Sequence, residues 1–147
     1  MRRSILLPAL ALVGTLALGC DSGSGTADDA GSAGVGPNGG RLVDLDGQYQ
    51  AEVVRDENAG SVAVFLLDAD GKEPVTANVT DVTLRFIDGA EELERPLSAE
   101  PESADADGTS RKFVASDPQV SEELAQSHDW VRLEAVVDGQ FVAGSID

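Results

Sequence analysis

The sequence predicts an all-β fold: a two-layer antiparallel β-sandwich of seven or eight short strands with one short helix, spanning residues 38–147. Three observations lead there. Asp-Gly occurs five times, at Asp46-Gly47, Asp70-Gly71, Asp88-Gly89, Asp107-Gly108 and Asp138-Gly139. This dipeptide is favoured in tight hairpin turns because both residues tolerate positive φ. The segments between these turns alternate apolar and polar residues with a period of two, as half-buried strands do. One stretch has helical spacing instead. Short strands at regular turn spacing in about 110 residues describe a sandwich of the immunoglobulin-like (Ig-like) kind, and a chain of that size buries one adequate core.

The elements follow in chain order. Tyr49, Ala51 and Val53 lie on one face of a strand, with Gln50 and Glu52 on the other. Residues 62–67 are apolar on both faces, as in a central strand. Val82, Leu84 and Phe86 alternate with Thr83 and Arg85. Pro96, within the run 92–99, marks an edge strand, because proline has no N–H for a ladder. Residues 100–110 are polar and predict a mobile loop. Asp117 suits a helix cap and Pro118 the first helical position, while Val120 and Leu124 fall four apart on one face. This short helix crosses between the sheets. Val131, Leu133, Ala135 and Val137 then alternate with Arg132 and Glu134, and Phe141 opens a closing strand to Ile146. There is no internal repeat.

The first 37 residues differ in kind. Arg2 and Arg3 precede an apolar run over residues 5–18, followed by Gly19 and the sole cysteine, Cys20. A charged start, a short apolar core and a small residue describe a secretory signal over residues 1–19. The run is shorter than the roughly 20 residues that span a bilayer. The stretch Leu16-Ala17-Leu18-Gly19-Cys20 resembles the lipobox of bacterial lipoproteins, which implies diacylglycerol on Cys20 as the first mature residue. Two acyl chains hold a protein to a membrane stably where one does not. An ordinary secretory signal is the alternative. Arg2-Arg3 also fits a twin-arginine export signal, though its flanks match poorly. Asp21 resembles the inner-membrane retention signal of enterobacterial lipoproteins. Residues 21–37 are mostly Gly, Ser, Ala and Asp and predict a flexible tether with a mean reach of about 20–25 Å.

The chain holds 10 Lys and Arg against 27 Asp and Glu. Residues 1–19 contain two of the basic residues and none of the acidic ones, so the mature protein has a formal charge of −19. That balance argues against nucleic acid, whose phosphates need Lys and Arg, and against an electrostatic grip on anionic lipid. It suits solubility beside a membrane, or attraction of cations or a basic partner. Lipidation of Cys20 consumes the only thiol, which excludes disulfides and cysteine nucleophiles from the mature domain.

The stretches Gly36-Pro37-Asn38-Gly39-Gly40-Arg41-Leu42-Val43, Tyr49-Gln50-Ala51-Glu52-Val53-Val54 and Val64-Phe65-Leu66-Leu67-Asp68 resemble a group of uncharacterised bacterial lipoproteins and exported proteins. Their pattern is His-Gly-Gly, then Tyr-His-Ala-Glu-Leu-Val, then a Tyr-Leu-Leu-Asp strand. Similar segments occur beside periplasmic adaptor subunits of heavy-metal efflux systems. The family's histidines imply metal handling, but here Asn38 and Gln50 stand in two of those places and Arg55 near a third. Amide oxygens suit Cu and Zn poorly.

Candidate sites are few. Asp68, Asp70 and Glu73 begin like a calcium loop, but the glutamate needed at loop position 12 is Val79. A hairpin turn with solvated carboxylates is the simpler reading, and it extends to Asp44 and Asp46 and to Asp105 and Asp107. Two such turns meeting at one end of the sandwich would make a weak Ca²⁺ site. Ser127-His128-Asp129 contains triad residue types, but sequence neighbours point apart. His128 reads as an exposed residue. Trp130 reads as packing at a sandwich edge, with ligand stacking as the alternative. No phosphate-binding loop is present, and no carboxylate pair stands out. The expectation is a non-catalytic, cofactor-free lipoprotein of the cell envelope, held to the membrane through Cys20, whose sandwich acts as an interaction or accessory module, with an envelope protein as the candidate partner. The alternative is an accessory protein of ion handling or efflux that binds Ca²⁺ rather than Cu or Zn.

Overall fold

A computed structural model describes residues 34–107 and 109–146. The signal segment, Cys20 and residues 21–33 of the expected tether lie outside the described residues, as do Gly108 and Asp147. The chain forms β1 (Arg41–Leu45), β2 (Tyr49–Asp56), β3 (Ser61–Leu67), β4 (Val79–Asp88), β5 (Glu91–Pro96), β6 (Ser98–Ala99), β7 (Lys112–Ala115), α1 (Pro118–Ala125), β8 (Trp130–Val137) and β9 (Gln140–Ile146). One sheet has the order β1-β2-β3-β7-β6 and the other β5-β4-β8-β9. Every strand pair is antiparallel. The fold is thus an all-β sandwich with one short helix. With β2-β3-β7-β6 facing β4-β8-β9, the connectivity follows the ABED and CFG sheets of the Ig-like arrangement, with β1 and β5 added at opposite ends. No helix among the described residues is long and apolar enough to cross a membrane.

Among the described residues there are nine strands where seven or eight were expected, and Pro96 contributes to the difference. The run 92–99 does not stay in one sheet. It ends β5 at Pro96, and after Leu97 resumes as β6 in the opposite sheet. Leu97 is buried at the crossing and its N–H donates to the Val82 carbonyl at 2.9 Å. Both pieces are edge strands, where a missing N–H is tolerated.

Two Asp-Gly turns have the expected conformation. Asp46 and Gly47 take φ of 53° and 67°, and Asp138 and Gly139 take 51° and 78°. Both pairs are type I′ centres joining β1 to β2 and β8 to β9. At Asp88-Gly89 the register pairs Asp88 with Glu91, so the turn centres on Gly89 and Ala90. Asp70-Gly71 lies in the tip of a short hairpin-like loop on the way from β3 to β4, where Leu67 bridges Pro74 and the Asp68 N–H donates to the Glu73 carbonyl at 2.9 Å. The helix begins as predicted: Asp117 caps it, accepting the Gln119 N–H at 3.0 Å, and Pro118 follows. It links β7 in one sheet to β8 in the other.

The core is the set of inward residues that period-two alternation supplies. Val43, Ala51, Val53, Val64, Leu66 and Phe113 from one sheet meet Val82, Leu84, Phe86, Leu133, Ala135 and Val142 from the other, and Val120 of α1 joins them. One side of the sandwich closes through the strand that switches sheets at Pro96. The other closes where β1 meets β9. A Cβ at Gly144 would stand 2.0 Å from the Asp44 carbonyl oxygen, so only glycine permits that approach. Asp46 seals the seam by accepting the Ala143 N–H at 2.9 Å.

Residues 34–37, read from composition as the end of the tether, are joined to the domain. Val35 bridges Arg41, and Gly36 and Gly40 exchange a turn hydrogen bond of 2.9 Å. The 100–110 loop, expected to be mobile, is also cross-linked. Asp105 accepts the Glu102 N–H at 2.8 Å and pairs with Arg111. Burial opposes ionisation of Asp105, but the Glu102 N–H and the Arg111 guanidinium together hold its carboxyl below the usual 3.8.

Candidate interaction face

The outward residues of β4, β5, β8 and β9 form one flat surface. Alternation places Arg85 on it from β4, Glu92 and Glu94 from β5, Trp130, Arg132 and Glu134 from β8, and Phe141 and Ser145 from β9. Arg85 and Arg132 stand directly opposite each other across the β4–β8 ladder. Like charges so placed repel, and Glu134 resolves this by bridging them, at 3.1 Å from Arg85 and 3.5 Å from Arg132. Arg85 also pairs with Glu92, and with Glu94 at 2.7 Å. Two cations therefore meet three carboxylates within one network.

Beyond this network lie two uncovered rings. Trp130 is 46% exposed and Phe141 54%. The Arg132 guanidinium sits between them, 5.8 Å from the Trp130 ring and 5.9 Å from the Phe141 ring, within cation–π reach of both. The indole N–H donates to the Ser145 hydroxyl, which fixes the orientation of the ring. Trp130 thus opens an interior strand on the outer face, and does not pack at a sandwich edge as expected. Arg132 and Phe141 were not singled out in the sequence, although the signal was present. A two-residue turn at Asp138-Gly139 pairs Val136 with Phe141, so Phe141 must share a face with Trp130, Arg132 and Glu134.

The other candidate residues have different surroundings. The Asp68 carboxylate accepts the Lys72 and Glu73 N–H groups at 3.0 and 3.3 Å. The Lys72 N–H leads in holding its pKa below 3.8, against the effect of burial. Asp70 and Glu73 are exposed. Asp44 likewise accepts the Gly47 N–H at 2.8 Å. Among the described residues, no three His, Cys, Asp or Glu side chains converge as a metal-ligand set.

His128 is not the exposed residue expected from its polar neighbours. Its side chain is only 5% exposed, and its ring packs tilted against Phe86 with centroids 5.1 Å apart. Nδ1 lies 2.7 Å from the Asp88 carboxylate and Nε2 lies 2.8 Å from the Glu123 carbonyl. Both partners are acceptors, so the ring satisfies both only as an imidazolium. The Asp88 hydrogen bond, reinforced by the Glu123 carbonyl, raises the His128 pKa above 6.5 despite burial. Neither Ser127 nor Asp129 engages the ring, so Ser127-His128-Asp129 assembles no triad.

Glu52 is the least expected. It faces outward from β2 yet is 0% exposed, because residues 36–40 fold over it. Its Oε1 accepts the Asn38 and Gly40 N–H groups, both at 2.7 Å, and its Oε2 accepts the Asn38 amide at 2.8 Å. A Cβ at Gly36 would stand 2.4 Å from the carboxyl carbon, and one at Gly40 would stand 2.6 Å from the Val53 carbonyl oxygen. Asn38, where the resembling family carries histidine, is here a donor to this buried carboxylate. Gln50 donates to the Ala69 carbonyl at 3.1 Å, and Arg55 pairs with Glu57 on the opposite side of β2. The three positions do not converge. Comparison with protein-family models, curated proteins and solved structures returned no match.

Proposed function

We propose that this protein is a lipid-anchored, non-catalytic binding module of the bacterial cell envelope. Cys20 carries the lipid, and the domain presents the Trp130–Arg132–Phe141 face to a partner. The observation that carries the binding role is the pair of exposed rings flanking Arg132 on a sheet face whose other charges are tied up in ion pairs. Exposed single apolar residues are ordinary on proteins, whereas two aromatic rings held in register around a cation are a prepared contact surface. The anchoring role rests on the sequence over residues 2–20 and on its resemblance to exported lipoproteins.

Fatty-acid labelling in cells tests the anchor. The native chain should incorporate labelled palmitate and sediment with membranes. Cys20→Ser should take up no label and either reach the soluble fraction or stay unprocessed. Equal labelling of the two would refute the anchor.

A further inference from the structure

We infer that the Trp130–Phe141 platform binds neutral polysaccharide, with sugar rings stacked on the two aromatic side chains and their hydroxyls held by Arg132. This rests on the binding role proposed above and names its ligand class.

Three features favour that ligand. First, the apolar area is small. Each aromatic side chain carries roughly 150–250 Å² of surface, and about half of each ring is open. The roughly 200 Å² available falls short of the apolar share, a little over half, of the roughly 800 Å² that a stable protein partner, or a second copy, covers on each side. It matches one or two sugar rings, whose C–H faces complement the negative face of an aromatic ring. Second, the charges are wrong for an ionic ligand. Glu92, Glu94 and Glu134 outnumber Arg85 and Arg132 on a protein whose net charge is −17, a field that repels polyanions and a second copy alike. The Arg132 guanidinium already between the two rings repels a cation there. Third, a polar group stands beside the rings: the Arg132 guanidinium can donate to sugar hydroxyls and remains 35% open to solvent, while Glu134 holds it in place.

Trp130 is the only tryptophan, so its emission reports on the platform directly. The test is fluorescence titration of the full chain in a sugar-free zwitterionic detergent, with chitohexaose and cellohexaose as probes. Expected is a saturable blue shift or quench with at least one hexamer, unchanged between about 50 and about 500 mM salt because no ion pair forms with the ligand. Phe141→Ala should weaken it about tenfold at an unchanged melting temperature. Trp130→Ala, followed by calorimetry, should abolish the heat. Val35→Ser, at an exposed apolar residue elsewhere, should bind as the native chain does. Absence of any saturable response to both hexamers up to about 10 mM, well beyond the weakest affinity of interest, would overturn the inference. So would a response that depends on added phosphatidylcholine vesicles or on protein concentration, which would assign the platform to lipid or to self-association. Loss of palmitate labelling refutes the anchor and leaves this binding unaffected, so the two failures are distinct.

Discussion

Replacing Glu52 with alanine should release the segment that covers the outer face of β2. The carboxylate accepts three hydrogen bonds of 2.7–2.8 Å, two of them from backbone N–H groups that have no other acceptor in the turn. Hydrogen bonds to a charged group are worth about 1.5–3 kcal/mol each, which sets a ceiling of several kcal/mol. The full sum will not be seen. Once the carboxylate is gone, residues 34–40 can lift away, hydrate their donors and recover conformational entropy of about 1–2 kcal/mol per residue. A loss of about 3 kcal/mol is expected, a large part of the stability of a domain this size. Glu52→Gln should cost about 1 kcal/mol. Its Oε1 still accepts both backbone donors, and Asn38 can turn its amide to present oxygen to the new NH₂ group. Urea unfolding of both variants supplies the energies, and hydrogen exchange at the Asn38 and Gly40 amides shows whether the segment has lifted. Glu52→Ala within about 0.5 kcal/mol of the native chain, the range of an ordinary surface substitution, would refute this account of the buried carboxylate. Unchanged protection at Asn38 and Gly40 would refute it equally.

Two further outcomes follow from the contacts around His128 and Gly144. His128 has a pKa raised above 6.5 in the folded protein, so its contribution is complete below pH 6.5 and fades as pH rises through the raised value. Its partner Asp88 is lowered below 3.8, chiefly by the His128 hydrogen bond, and that contribution fades as pH falls through the lowered value. The stability lost in His128→Gln, from urea midpoints across pH, should therefore be greatest between about pH 4 and 6.5 and shrink towards pH 9; a pH-independent loss would contradict the imidazolium assignment. Gly144→Ala drives a methyl group against the Asp44 carbonyl where β9 meets β1. A loss of about 3 kcal/mol, the upper range for overpacking, should appear as a lower melting temperature, and a neutral result would show that the seam has room to open.

The strands were legible because their signal is local. Alternation in residues such as Val82, Leu84 and Phe86, or Leu133, Ala135 and Val137, decides which face each side chain takes before any partner is known. The Asp46-Gly47 and Asp138-Gly139 turns and the Asp117-Pro118 helix start are local for the same reason. Cys20 and its preceding run carry the anchor reading in a contiguous stretch, which needs no fold to interpret. What stayed hidden depends on segments distant in sequence. Pro96 predicts an edge but not that the chain changes sheets there, because that depends on where β7 lies. His128 meets Asp88 forty residues away, and Glu52 is covered by a turn beginning at Gly36.

The acidic composition shows the same division. From sequence alone it determines a net negative charge, which repels the phosphates of nucleic acid. The tertiary structure gives many of these aspartates a second role. Asp44, Asp56, Asp68, Asp105 and Asp117 each accept a backbone N–H in their own turn, and Asp46 and Asp138 do so across the domain. Charge is a sum over residues and can be read from a list. A shared face such as Trp130, Arg132 and Phe141 exists only once strand register places those residues side by side.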